Sequence, residues 1–287
     1  MSTPPALPAD WDDPDWCERQ YNPRLTVADA ADRLAGWGPL AQAARRSHPP
    51  MADIAYGAHP RERIDLFRAG AARGLLIFIH GGYWRALSKD EHSWVAGPFL
   101  AAGYSVALIN YPLCPEVTVA DIAASCQRAI AHLWSLAAPE ERAHMVVSGH
   151  SAGGYLTAAL FATDWTALGL PDSPFCGGLS ISGVFDPRPL INTSMNTLIR
   201  LTPESAAALN LMTQARRVDA PLILTVGGDE PAEFHRQSRD LATAWGLAPA
   251  VVRAIAGTNH FTILDQLREA QSPMVQLATA LLDGAAA

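Results

Sequence analysis

Short runs of continuous apolar residues alternate along this chain with stretches of helical periodicity, and this alternation restricts the possible fold more than any other feature. The apolar runs cover residues 75–79, 105–109, 145–147, 178–181, 222–226 and 251–255. A strand covered by helices on both faces has this composition, because neither face meets water. Regular alternation of strand and helix predicts the α/β class, with a doubly wound, mostly parallel central sheet.

Helical patterns lie between these runs, at residues 92–102, 117–136, 153–163, 232–245 and 261–282, the last with a break near Pro273. Ahead of the sheet we expect a leading helix over about 26–44, with Gly36 and Gly38 as stop signals. Two runs of alternating polarity at 53–56 and 63–67 predict strands with one more exposed face.

The chain has 287 residues and contains no low-complexity linker, so we expect a single domain. Residues 186–217 carry prolines, polar residues and short helical fragments but no strand pattern. A segment of this kind predicts a small cap over a pocket. At this length roughly three quarters of the unfolded surface is buried on folding, and the hydrophobic content of 49% can supply the core.

The four cysteines are scattered, with no C-x-x-C pair and no association with histidines. They are Cys17, Cys114, Cys126 and Cys176. This spacing favours free thiols over disulfides or zinc ligands. We therefore expect neither a metal site nor a cofactor.

The charge balance restricts the possible partners. The chain has 21 basic and 28 acidic side chains, a formal net charge of −7, whereas nucleic acids and anionic membranes attract basic surfaces. No apolar stretch reaches the roughly 18 residues of a membrane helix, and residues 1–16 lack the basic start and apolar core of a secretory signal. We expect a cytoplasmic protein with a small-molecule substrate, and neither nucleic acid nor membrane as a partner.

The pattern G-x-S-x-G at Gly149–Gly153 follows the apolar run 145–147 and precedes a helical pattern. In this context the glycines permit a tight strand-to-helix turn, which raises the serine hydroxyl to the carboxyl edge of the sheet. Ser151 is therefore the predicted nucleophile, and a structural turn is the alternative.

A serine hydroxyl needs a base to take its proton and a third group to orient that base. His260 lies in a loop after the last apolar run, where it can reach the carboxyl edge of the sheet. His235 falls inside a predicted helix, and His150 should point away from the site if Ser151 points into it. We therefore predict that His260 is the base.

The acid should lie between the nucleophile and the histidine in sequence. Asp229 directly follows the apolar run 222–226, at a carboxyl end, and is the predicted acid. Glu230 is its obvious rival and Asp186 a distant one. We favour Asp229 because Glu230 and Pro231 resemble the first turn of a helix, where the helix dipole already accounts for a carboxylate.

Acyl transfer creates an oxyanion, which requires hydrogen-bond donors fixed in advance. Gly81 and Gly82 come soon after the strand pattern 75–79, and together with the amide of Ala152 they are the predicted oxyanion hole. Tyr83 and Trp84 follow directly. They either stack on an aromatic substrate at the rim of the pocket or belong to the core.

With these motifs the chain resembles the α/β-hydrolases of the esterase and lipase group, and more narrowly the kynurenine formamidase (arylformamidase) family. The resemblance covers most of the chain and rests on segments 18–24, 80–84 (H-G-G-Y-W), 85–90, 110–116, the serine motif, 182–190 and 227–230. It implies hydrolysis of an aryl formamide, N-formyl-L-kynurenine to L-kynurenine and formate, in tryptophan breakdown. It is also compatible with a homodimer.

Other functions remain open because a fold does not determine its substrate. A carboxylesterase for short-chain or aromatic esters, or a hydrolase of another small amide, would use the same motifs. A non-catalytic binding protein on a hydrolase scaffold is a third alternative.

Overall fold

The computed structural model describes residues 5–284 and contains one eight-stranded sheet. The strands are β1 (Met51–Ala55), β2 (Arg63–Phe67), β3 (Leu75–Ile79), β4 (Ser105–Ile109), β5 (Met145–His150), β6 (Gly177–Ile181), β7 (Leu222–Gly227) and β8 (Val252–Ile255). Their order is β1-β2-β4-β3-β5-β6-β7-β8. Strand β2 is antiparallel to both of its neighbours, and the pairs from β4 to β8 are parallel. The predicted α/β class with a mostly parallel sheet is confirmed.

The α-helices are α1 (Pro14–Tyr21), α2 (Pro23–Thr26), α3 (Ala30–Ser47), α4 (Ala96–Ala101), α5 (Val119–Leu136), α6 (Pro139–Ala143), α7 (Ala152–Phe161), α8 (Asn196–Ile199), α9 (Pro203–Ala208), α10 (Ala232–Ala244) and α11 (Pro273–Leu282). Short 3-10 helices supplement them. The segment 186–217 holds α8, α9 and two such 3-10 helices, Arg188–Asn192 and Leu211–Thr213, between β6 and β7.

The apolar strands form the core because both faces of the sheet are covered. Along β3, Ile77 and Ile79 pack into one cluster of buried side chains, while Leu76 and Phe78 pack into a second cluster on the opposite face. Adjacent residues of a strand point to opposite faces, so both clusters require apolar residues. This explains why β3 has no polar position.

The leading helix differs from its prediction. Helix α3 begins at Ala30, continues through Gly36 and Gly38, and ends at Ser47. Glycine within a helix costs about 1 kcal/mol relative to alanine, but Trp37, which lies between the two glycines, is only 4% exposed. Its ring packs against His92 and Phe261 at centroid distances of 5.3 and 6.3 Å. Burial of a large aromatic side chain outweighs the propensity cost.

Two predicted helices are built partly from 3-10 turns. The pattern at 92–102 becomes the 3-10 helix Ser93–Val95 followed by α4, and the pattern at 261–282 becomes the 3-10 helix Thr262–Arg268 followed by α11. The break predicted near Pro273 is present, since α11 begins at that proline. All four cysteines are free thiols, as expected. Within residues 5–284, no helix has both the length and the apolar character needed to span a bilayer.

Candidate active site

Ser151 occupies the turn between β5 and α7 with φ 56° and ψ −116°. A positive φ is rare for a non-glycine residue and marks a strained position that its surroundings must hold. The Ser151 N–H donates to the Ile181 carbonyl of β6 at 2.8 Å, which fixes the turn to the neighbouring strand. This is the geometry that the sequence motif predicts for a nucleophile at the carboxyl edge of the sheet.

The two outer glycines of the motif are required by close backbone approaches. A Cβ atom at Gly153 would lie 2.0 Å from the carbonyl oxygen of Ile79, and one at Gly149 would lie 2.3 Å from the carbonyl oxygen of Gly153. Helix α7 can therefore begin directly against β3 only when both positions lack a side chain. This contact places Ser151 beside the loop that follows β3.

His260 lies in the loop after β8 and is 3% exposed. Its Nδ1 is 2.7 Å from Oε2 of Glu230. An Nδ1–H that donates to this carboxylate leaves Nε2 without a proton and able to accept one. His260 and Ser151 line the same cavity.

The structure corrects the predicted partner of His260, which is Glu230 and not Asp229. Asp229 is exposed, and its N–H donates to the Thr258 carbonyl at 2.9 Å. The Glu230 N–H returns to the Gly227 carbonyl at 3.1 Å, so the turn after β7 directs residue 229 outward and residue 230 inward. Helix α10 begins only at Ala232, and Glu230 is therefore not committed to the first turn of a helix.

Two donors hold the second oxygen of Glu230. Its Oε1 accepts from Ser182 Oγ at 2.5 Å and from the Gly227 N–H at 2.6 Å. Ser182 follows β6 directly and has φ 51°, a second strained residue at the same edge of the sheet. The sequence prediction did not include Ser182, although a serine immediately after an apolar run is a signal that could have identified it.

His150 does not point away from the site as expected. It lines the cavity, and its Nε2 is 2.8 Å from the carbonyl oxygen of His260. Burial, together with the nearby His260, holds the pKa of His150 well below its usual value. A neutral His150 can thus donate from Nε2 and connect the serine turn to the loop that carries His260.

Gly81 packs directly against the serine. A Cβ atom at Gly81 would lie 3.1 Å from Ser151 Cβ and 2.9 Å from the carbonyl oxygen of His150. Gly82 has φ 106° and lines the cavity. Within residues 5–284, no turn or loop hydrogen bond uses the N–H groups of Gly81, Gly82 or Ala152. The predicted donors are therefore unengaged and grouped around the turn.

The loop that carries these glycines is firmly held. The Tyr111 ring stacks on the His80 ring at a centroid distance of 4.1 Å, and the Tyr111 hydroxyl donates to the His80 carbonyl at 2.8 Å. Arg61 donates to the carbonyl oxygens of Leu87 at 2.7 Å and Tyr111 at 2.9 Å. Burial holds the pKa of His80 well below its usual value, so this histidine is a neutral structural element.

Of the two predicted aromatic contacts, only Tyr83 lines the cavity. Its hydroxyl donates to the carbonyl of Tyr21 at the end of α1. Trp84 is 1% exposed and meets Tyr155 edge to face at 5.2 Å. The prediction of Trp84 as a substrate contact is therefore wrong, and its core alternative describes the structure.

The cavity above Ser151 is small, with a volume of about 70 Å³. Its apolar wall consists of Leu34, Trp37, Leu87, Met195 and Phe261. Met195 comes from the segment 186–217, while Asn22, Pro23 and Arg24 come from the N-terminal part of the chain. Tyr21 anchors that part of the chain, because its hydroxyl donates to Glu233 Oε2 of α10 at 2.5 Å.

Comparisons with known proteins show which proteins this chain is similar to. The BD-FAE family model matches residues 67–169. The kynurenine formamidase of Danio rerio is 27% identical, covering 86% of this chain and 87% of its own length, and that of Salmo salar is 25% identical, covering 92% and 94%. A solved structure provisionally assigned as a thioesterase, from Silicibacter sp. tm1040, is 31% identical with a TM-score of 0.82, covering 91% of this chain and 97% of its own.

Proposed function

Because this chain belongs to the α/β-hydrolase superfamily, we propose that it is a serine hydrolase with Ser151 as nucleophile, His260 as base and Glu230 as the acid that orients His260. The observation that carries the proposal is the 2.7 Å hydrogen bond from His260 Nδ1 to a buried carboxylate, in the same cavity as a strained serine. A loop histidine with no catalytic role has no need for this partner.

In the proposed reaction, Ser151 Oγ adds to the carbonyl carbon of the substrate while His260 Nε2 takes the hydroxyl proton. The carbonyl oxygen becomes an oxyanion, which the N–H groups of Gly81, Gly82 and Ala152 stabilise. His260 then gives its proton to the departing nitrogen or oxygen, and the acyl group stays on Ser151. Water, deprotonated by His260, releases the acid and restores the serine.

We propose an aryl formamide, N-formyl-L-kynurenine, as the substrate, with L-kynurenine and formate as products. Support comes from the two kynurenine formamidases aligned over most of their length and from the small cavity, which suits a small acyl group. An arylamine leaves readily because its lone pair is delocalised, so machinery that cleaves esters can also cleave this amide.

A carboxylesterase activity is the second candidate, and the fold of a Pyrobaculum calidifontis esterase supports it at the level of architecture only, with 15% identity and a TM-score of 0.65. The deciding measurement is kcat/KM for N-formyl-L-kynurenine against 4-nitrophenyl acetate. We expect the formamide to be preferred. A large preference for the ester would replace the formamidase proposal by the esterase one.

Covalent labelling separates both enzymes from a binding protein built on the same scaffold. An organophosphate should add one adduct to the wild-type chain and none to Ser151→Ala, as measured by intact-mass spectrometry. Equal labelling of the two chains, or labelling of neither, would overturn the assignment of Ser151 as nucleophile.

A further inference from the structure

Two arginines line the cavity that contains Ser151 and His260. Arg85 follows the loop that carries Gly81 and Gly82 and is half-buried, while Arg24 lies on α2 and is exposed. Among the described residues, neither guanidinium forms a salt bridge or donates a side-chain hydrogen bond. Two other half-buried arginines are paired with carboxylates, Arg188 with Asp186 at 2.6 Å and Arg236 with Glu233 at 2.7 Å.

The surroundings of Arg85 do not neutralise its charge. The carboxylate whose charge acts on Arg85 is Glu18, whose Oε2 accepts from Asn22 Nδ2 at 2.9 Å and whose Oε1 accepts from the Ser194 N–H. Both Glu18 oxygens are therefore already engaged. Burial lowers the pKa of Arg85, and the positive charge of Arg24 lowers it further. Two cations that line the same cavity and repel each other are stabilised by an anion bound between them.

We propose that Arg85 and Arg24 bind a carboxylate of the substrate, so that the preferred substrates are small organic acids with the scissile formamide or ester bond at a distance from the charge. A guanidinium can hold a carboxylate through two parallel hydrogen bonds, which fixes orientation as well as position. The bound carboxylate would place the scissile carbonyl over Ser151. This inference rests on the proposed hydrolase function and specifies its substrate class.

Two matched pairs of substrates test the proposal, each pair differing only in the charge. One pair is N-formyl-L-kynurenine and its carboxamide, and the other is 4-acetoxybenzoate and 4-acetoxybenzamide. For each pair the readout is the ratio of kcat/KM for the acid to kcat/KM for the amide. We expect a ratio of about 10 to 100, the range of a charge-assisted hydrogen bond, which falls at high salt because screening weakens the attraction.

Substitution of the arginines locates the effect. Arg85→Gln should bring the ratio close to one, and Arg85→Lys should retain part of it because the charge remains but the paired hydrogen bonds do not. Arg24→Gln should lower the ratio less, because Arg24 is exposed. The control is Arg239→Gln on α10, an exposed arginine outside the cavity, which should keep the wild-type ratio.

The two substrate pairs separate failure of this inference from failure of the proposed function. If neither formamide is cleaved but 4-acetoxybenzoate is preferred in an Arg85-dependent way, the formamidase proposal fails and the carboxylate site stands. If the formamides are cleaved with a ratio near one that Arg85→Gln does not change, the carboxylate site is overturned and the function stands. Far-ultraviolet circular dichroism of each variant shows that a changed ratio does not reflect unfolding.

Discussion

Glu230 is bound at both oxygens, by His260 at Oε2 and by Ser182 and the Gly227 amide at Oε1. A carboxylate held in this way cannot rotate, so it presents one oxygen to the imidazole at a constant angle. In the proposed reaction it would fix the tautomer of His260 and stabilise the imidazolium that forms.

Replacing each of the two neighbouring acids, Glu230 and Asp229, by its amide tests which of them orients His260. Glu230→Gln should lower kcat by about 10³ to 10⁴, since an amide that donates to Nδ1 favours the wrong tautomer. Asp229→Asn should change kcat by less than about twofold, because Asp229 is exposed and its contact to Thr258 uses the backbone. Steady-state kinetics of both variants is the measurement, and the opposite ranking would return the role to Asp229.

Ser182 is a positioning residue in this scheme, since it acts through Glu230. Ser182→Ala should lower kcat by about 10-fold and leave KM nearly unchanged, because a charge-assisted hydrogen bond contributes about 1.5 to 3 kcal/mol. In the Glu230→Gln background the same substitution should have almost no further effect, since residues that act as a unit are not additive. If Ser182→Ala lowers kcat by the same factor in the wild-type and the Glu230→Gln chains, Ser182 has a structural role only.

At this scale the sequence predicts that Ser151 and His260 lie at the same site, but not which acid bonds to His260. Ser151 is recognisable because glycines on both sides are required by the backbone contacts around it. Asp229 and Glu230 are adjacent acids in one turn, and only the direction of the Gly227–Glu230 hydrogen bond decides which side chain faces inward. No spacing or composition rule contains that direction.

At the scale of the elements, the contact between α7 and β3 requires a glycine. Gly153 lies so close to the Ile79 carbonyl that no side chain fits there. Gly36, in the middle of α3, has no heavy atom from outside its chain neighbours and helix backbone within 4 Å of the position that a Cβ would take. The two glycines are thus a matched pair, one required by packing and one without a steric role.

Replacement of each glycine by alanine should change the free energy of unfolding in opposite directions. Gly36→Ala should raise it by about 0.5 to 1 kcal/mol, because alanine has the higher helix propensity. Gly153→Ala should lower it by about 3 kcal/mol or more, because backbone atoms must move apart. Urea denaturation followed by circular dichroism measures both, and a neutral Gly153→Ala would contradict the close contact between helix and strand.

The sequence predicts an element well when burial alone dictates its composition, and poorly when distant contacts decide its limits. Strands β3 and β4 match their predicted limits, because their composition is dictated by burial on both faces. The start and end of α3 could not be predicted, since the helix continues past Gly36 and Gly38 owing to contacts of Trp37 with residues far along the chain. Local signals decide an element only where tertiary contacts agree with them.

At the scale of the whole molecule, residues 5–284 include three buried histidines with lowered pKa values, His80, His92 and His150, and burial is the first cause for each. In the unfolded chain a histidine takes up a proton below about pH 6.5. The folded chain does not take it up until a lower pH, so the unfolded state binds more protons in this window. The free energy of unfolding must therefore fall as pH decreases below about 6.5.

We expect urea unfolding to show full stability at pH 7.5 and a progressive loss between about pH 6.5 and 5. His92→Phe should reduce this slope, because it removes one of the three groups from a site among aromatic rings. Exposed His48 provides the control, and His48→Gln should keep the wild-type slope. A stability that stays constant from pH 7.5 to 5 would show that these histidines are not buried as described.

The hydrogen bond from the Tyr83 hydroxyl to the Tyr21 carbonyl, together with that from the Tyr21 hydroxyl to Glu233, holds the N-terminal residues as one wall of the cavity. Asn22, Pro23 and Arg24 line the cavity but lie outside the sheet whose edge carries Ser151 and Glu230. In directed evolution this short stretch would therefore be the place to retune selectivity, because its side chains border the cavity without carrying the serine or the histidine.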